Sequence, residues 1–332
     1  MSAAGISAVV LAGTHHWSGS SFEKLAPRPL VPVALEPLIS YPLRWLRDGG
    51  IPRATICANG TTRLLDATFG DGRELEMELA YYKDLTPRGA AGCVRDAGLE
   101  SGAETLVVTD GTAIPTLNLG EILLSHFVSG AAVTAVVHRE RRAFAPPTPA
   151  GVYVFERRAL EHVASTGFQD IKENLIPRLH RAGERVVAHE SSGLSPHVFN
   201  AQTYVAVNHW MLQRLAGSTA GGDLVDPSAC VEAGARLVGP VQLGPRARVL
   251  AGATIVGPST IGADSVVGRD ALVARSVVWS RCAIGERAVV HGCVLGTDAV
   301  VPPGSGLFNV VRSRHHEGTP PTPAAPTSFI PS

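Results

Sequence analysis

The sequence lacks an excess of either charge, with 29 Lys plus Arg against 29 Asp plus Glu in 332 residues. No net field draws the chain toward nucleic acid or an anionic membrane, so any phosphate it binds must be held locally. It also lacks a long apolar run. Nowhere do the roughly 20 consecutive apolar residues of a membrane span occur, and the opening MSAAGISAVVLAG has no basic leader before its short apolar stretch. These absences predict a soluble, cytoplasmic protein with neither nucleic acid nor membrane as partner. Cysteine is scarce: Cys57, Cys93, Cys230, Cys282 and Cys293 are scattered, odd in number and never spaced CxxC. Neither a disulfide framework nor a zinc site is signalled, and buried thiols are expected. What is plentiful is apolar, 45% of residues against 17% charged, which suits large cores and, at this length, two domains.

Residues 6–12, ISAVVLA, form a continuous β-branched run ended by Gly13, as expected of a strand covered on both faces. Similar runs recur at 54–58, 105–109, 132–137 and 152–155, separated by amphipathic stretches such as 38–50 and 120–130. Strands alternating with helices predict a Rossmann-like, doubly wound α/β sheet. The alternation in LEMELAYY (75–82) predicts a half-exposed strand near an edge.

From residue 225 the texture changes. Val225, Val231, Leu237, Leu243, Val249, Ile255, Ile261, Val267, Val273 and Trp279 fall at an unbroken spacing of six, after which the register slips by one to Ile284 and Val290. A small or β-branched residue follows each of the first nine by four. Such hexapeptide repeats predict a parallel β-helix, each hexapeptide forming one side of a triangular coil. Pro227, Pro240, Pro245, Pro258, Gly244, Gly262 and Gly268 suit its corners. The expected organisation is an α/β domain over 1–220, a left-handed β-helix over 221–308 and a Pro-rich disordered tail over 309–332.

The opening VVLAG, then PRPLVPV (27–33), EPLISYPLRWLRDGGI (36–51), FGDG (69–72), GAAG (89–92), AGVYVF (150–155) and TYVAVN (203–208) come in an order that resembles the sugar-1-phosphate nucleotidyltransferases with a C-terminal left-handed β-helix. The resemblance implies attack of a sugar phosphate on the α-phosphate of a nucleoside triphosphate, with release of pyrophosphate. Such chemistry needs a glycine-rich cradle, an arginine and a lysine on phosphates, and two aspartates holding Mg²⁺.

Against that pattern the chemical positions diverge. Thr14 and His16 stand where the family has glycines, and Trp17-Ser18 replace its Thr-Arg pair. Arg28 stands for the family lysine and keeps its charge. The first metal aspartate belongs to a Gly-Asp pair, whereas here Asp110-Gly111 is reversed, leaving Asp110 near the site. Counting back from Tyr204 puts His197 at the second aspartate, where imidazole is a poor hard-cation ligand. The family's Glu-Lys-Pro segment is missing around 138–149. The resemblance thus assigns Arg28 and Asp110 as catalytic, Asp110 to the metal, and Leu11, Ala12, Gly13, Gly89, Ala90, Ala91, Gly92 and Gly151 to nucleotide or sugar contact. Mg²⁺ is implied if the chain is active and no cofactor otherwise. The pattern implies a catalytically weak or inactive homologue that binds a nucleotide or nucleotide sugar and pairs with itself or with an active homologous subunit. Two other readings stand beside it: an active enzyme with a divergent site, and a hexapeptide acyltransferase using His291 as its base.

Overall fold

The computed structural model describes residues 5–13, 22–83, 87–138, 148–218 and 224–313. The expectations placed on Thr14, His16, Trp17, Ser18, 139–147 and most of the tail lie outside these residues. The chain divides into two compact units: one takes in the α/β sheet up to Val198, and the other gathers residues 22–26 and 32–35 together with everything from Phe199 onward.

In the first unit seven strands form one sheet: β1 (Ile6–Leu11), β2 (Arg53–Cys57), β3 (Glu78–Tyr82), β4 (Thr105–Asp110), β5 (Val133–His138), β6 (Thr148–Glu156) and β7 (Val186–Ser191), in the order β3-β2-β1-β4-β6-β5-β7. Its helices are α1 (Ser40–Asp48), α2 (Thr62–Phe69), α3 (Gly89–Ser101), α4 (Leu119–Ser129), α5 (Arg157–Leu160) and α6 (Ile176–Arg181). The uninterrupted apolar run of β1 is explained by two cores. Ala8 and Val10 pack into one, Val9 and Leu11 into the other, and the sheet lies between them. The edge strand β3 keeps the alternation read from its sequence, with Leu79 buried and Glu78 and Ala80 exposed. Strands β1 to β4 run parallel, whereas β6 is antiparallel to both β4 and β5. Helix α4 starts where Asn118 accepts the Glu121 N–H at 3.2 Å, satisfying a donor that the first turn leaves open. Between α4 and the sheet, His126 is buried, with Nδ1 2.8 Å from Thr134 Oγ1 and Nε2 3.0 Å from Glu156 Oε1.

Because the order runs outward from β1 in both directions, the carboxyl ends of β1 and β4 border a topological switch point, where open α/β sheets form their ligand crevice. Leu11 and Asp110 are register partners at that end.

The second unit is a left-handed parallel β-helix of five coils plus α7 (Ala201–Ser218). Three five-stranded parallel sheets make its sides, and Leu243, Val249, Ile255, Ile261, Val267, Val273, Val278, Ile284, Val290 and Leu295 fill the interior. One expectation is corrected: the interior position after Val273 belongs to Val278, which pairs with Ile261, and not to Trp279. The slip therefore comes one corner earlier. Leu243 to Ile261 is an 18-residue coil and Ile261 to Val278 a 17-residue coil, because the corner at Ala274-Arg275-Ser276 is shorter. Trp279 instead meets Tyr204 edge-on, and Tyr204 in turn packs against Phe22. Its indole N–H donates to the Tyr204 hydroxyl at 2.8 Å, that hydroxyl donates to the Pro32 carbonyl, and the Phe22 and Tyr204 rings lie 4.8 Å apart. Many corners are left-handed residues other than glycine, among them Arg246, Asp264, Arg281 and Asp298, which pair as Arg246–Asp264 and Arg281–Asp298. Four cysteines are buried, as expected, and Cys230 is exposed.

Candidate functional site

At the end of β4, one carboxylate oxygen of Asp110 accepts both the backbone N–H and the hydroxyl of Thr112, at 2.8 and 2.7 Å. This short-range turn fixes the side chain. The other oxygen lies 3.8 Å from His197 Nε2, with both side chains mostly buried. The imidazole is set from its far side. His197 Nδ1 is 2.6 Å from the Ser195 carbonyl, which can only accept, so this nitrogen carries the proton and Nε2 points at Asp110.

Backbone pairing holds His197 in place. It bridges Ala113, Ile114 N–H donates to the Pro196 carbonyl at 2.9 Å, Val198 N–H to the Thr112 carbonyl at 3.2 Å, and Thr116 N–H to the Leu194 carbonyl at 2.8 Å. Segment 194–198 is thereby zipped to 112–116, the loop that leaves Asp110. Gly151, in β6, completes the arrangement with φ +74°. A Cβ there would sit 2.8 Å from His197 Nε2 and 3.3 Å from Asp110 Cβ, so only glycine leaves room for the ring. Nearby Tyr153 is pushed up to about 12 by burial, with the Asp170 and Asp110 charges adding to it, and stays a neutral phenol.

The structure thus brings together Asp110 and Gly151 with His197, the residue that counting back from Tyr204 had placed at the second aspartate. Leu11, Ala12 and Gly13 lie on the same side of the sheet ends, at the carboxyl end of β1. Ala12 N–H donates to the Cys57 carbonyl at 2.8 Å, and the Gly13 carbonyl accepts from Asn59 at 2.9 Å. The GAAG residues form the first turn of α3 rather than an open loop. A Cβ on Gly89 would meet the Gln169 carbonyl oxygen at 2.5 Å, Ala91 N–H donates to that carbonyl at 2.9 Å, and Gly92 backs onto the Arg88 side chain. Ala91 shares a buried cluster with Leu11 and Cys57, whereas Ala90 is half-buried. Arg28 is enclosed in the short turn Arg28–Leu30, with 7% of its surface exposed. Sequence reasoning overlooked Thr112 and Ser195, the two residues that orient the pair. The Asp-Gly-Thr string was a legible turn signal for the first; the second carries none.

The Nucleotidyl transferase family matches residues 23–147. Mannose-1-phosphate guanylyltransferase of Mycobacterium tuberculosis is 24% identical over 274 residues, covering 74% of this chain and 76% of its own. Glucose-1-phosphate thymidylyltransferase of Streptomyces griseus is 32% identical over 87 residues, 26% of this chain and 24% of its own. The crystal structure of HddC from Yersinia pseudotuberculosis, complexed with GMP-PN, superposes with a TM-score of 0.52 at 14% identity, covering 62% of this chain and 99% of that one, and shares the fold. In sequence and fold the chain is thus similar to the sugar-1-phosphate nucleotidyltransferases.

For a sugar-1-phosphate nucleotidyltransferase the implied metal is Mg²⁺, a hard cation that takes oxygen ligands in tight octahedral geometry at about 2.0–2.1 Å. The residues here do not fit it. Of the two expected carboxylates one is an imidazole, and Asp110 has one oxygen already committed to Thr112. A cation on the other oxygen would need Nε2, only 3.8 Å away, as a ligand, or would find the ring inside its water shell. Among the described residues no group of three or more His, Cys, Asp or Glu side chains is placed to hold a metal.

Proposed function

We propose that this chain binds a nucleotide or nucleotide sugar at the crevice beside β1 and β4 and turns it over weakly or not at all, acting as a binding or regulatory subunit. One observation carries this reading: Asp110, fixed by Thr112, faces His197 where the family chemistry calls for a second carboxylate. Removing a single preorganised electrostatic partner costs about 10²–10³ in rate. Around that exchange the scaffold is retained, with the switch-point crevice, the Ala12-Gly13 turn and Gly151 all in place, which favours retained binding over retained turnover. The names of the relatives point to a hexose 1-phosphate or its nucleotide derivative as the ligand class. No helix among the described residues is long and apolar enough to cross a membrane, and we assign the protein to the cytoplasm as part of the same reading.

A subunit role is supported by one outer face of the β-helix. Val238, Val256, Leu272, Val289 and Phe308 lie on it, with only Arg236, Thr254 and His291 as polar company. Phe308 is 59% and Val238 46% exposed, so a second copy or a homologous subunit would remove apolar surface from water.

The decisive assay supplies Mg²⁺, mannose 1-phosphate or glucose 1-phosphate and each nucleoside triphosphate in turn, and measures pyrophosphate. Little or none is expected. Robust release with any pair would establish instead an active enzyme with a divergent site.

A further inference from the structure

We infer that the Asp110–His197 site takes no divalent cation, and that any nucleotide ligand of this chain is therefore held independently of one. The first half stands on this chain's own geometry; the second also rests on the binding role proposed above.

The imidazole is not an incidental replacement at the edge of an otherwise intact metal site. Three features hold it as part of the structure. The Ser195 carbonyl fixes the tautomer and the ring plane at 2.6 Å. The pairing of 194–198 with 112–116 prevents the residue from swinging out of the crevice. Gly151 adopts a left-handed conformation that gives the ring its space, and any larger residue would strike Nε2. On the opposite side Thr112 directs two hydrogen bonds at one Asp110 oxygen, leaving the other oxygen toward His197. One oxygen and one nitrogen at 3.8 Å do not make a hard-cation site, and an Asp at 197 in place of His would supply the missing carboxylate without disturbing the backbone pairing.

The test uses Mn²⁺ alone as the probe, following the paramagnetic resonance signal of the free aquo ion as the full-length protein is added. The wild type is expected to leave the signal unchanged. His197→Asp is expected to remove it in proportion to protein, and Asp110→Asn combined with His197→Asp to restore it. Stoichiometric loss of signal with the wild type, reversed by Asp110→Asn alone, overturns the inference. That wild-type comparison decides the matter even if His197→Asp does not fold. Calorimetry with GTP, dTTP and GDP-mannose then compares EDTA with Mg²⁺. Equal affinity is expected, and a loss of about tenfold or more in EDTA counts against cation independence. If none of the three ligands binds in either buffer, the binding role falls, while the Mn²⁺ result still decides the metal question.

Discussion

The two units specify themselves in opposite ways. In the β-helix every interior position repeats the same problem, and Val249, Ile255, Ile261 and Val267 solve it with the same kind of residue, all fully buried. In the α/β unit the crevice is made of singular solutions: one Asp with one Thr on its oxygen, one His with one carbonyl behind it, one Gly beside both. Repetition makes a fold robust and legible, because each coil restates the pattern. A singular site has no second copy of its information, so a single substitution alters its chemistry while the scaffold persists.

That contrast can be broken by comparing substitutions. The largest effects are expected for interior truncations in either unit. Ile255→Ala in the β-helix and Leu106→Ala in the sheet should each lose about 2–5 kcal/mol, read from chemical denaturation, since both side chains are fully buried. If the repeat distributes strain along the coils, the β-helix variant will fall at the low end of that range. A much larger loss there would mean that the coils are as intolerant as the sheet.

An intermediate effect is expected from His126. Burial holds its imidazole below the ordinary value of 6.5, outweighing the raising influence of Glu156. The unfolded chain therefore binds a proton that the folded chain resists. Stability should be complete above pH 6.5 and should fall as the pH drops below it toward the lowered folded value. Melting temperatures across that window should decline more steeply for the wild type than for His126→Gln; parallel slopes would remove His126 as the cause. His138 and His209 are also depressed by burial and add to the same slope.

The smallest effect on stability, within about 0.5 kcal/mol, is expected for Phe308→Ser on the exposed β-helix face. Its effect should appear in association instead. Light scattering should show the wild type as an oligomer and this variant shifted toward the monomer; a wild-type protein that is strictly monomeric would remove the support for a subunit role.

Most of the architecture was legible because burial writes directly into sequence. A strand covered on both faces must be apolar throughout, as in residues 6–12, and a coil that points one residue inward per side must repeat every six. The exact register was harder to see. The corner shortened at Arg275-Ser276 moves the interior position from Trp279 to Val278, yet both are large and apolar, so pattern alone could not separate them. Left-handed corners filled by Arg246, Asp264, Arg281 and Asp298 carry no glycine signal. In the crevice, His197 could be placed only by counting from Tyr204. That Gly151 makes room for it depends on a contact between residues far apart in the chain, which local propensity does not encode. The GAAG string carries a packing requirement as well: Gly89 lies against Gln169 and Gly92 against Arg88.

The gathering of residues 22–26 and 32–35 into the β-helix unit has a consequence for how the molecule is made. Ala34 donates to Asn208, 174 positions away, and its carbonyl accepts from Gln242, 208 positions away. Synthesis delivers this early stretch first, but its partners last. It must wait, hydrogen-bonded to water, until the ribosome has threaded out some two hundred further residues, a long-range closure of the kind that slows folding. By the same token, no single cut of the chain yields two self-sufficient halves: truncation after the sheet would strand two early segments whose partners had been removed.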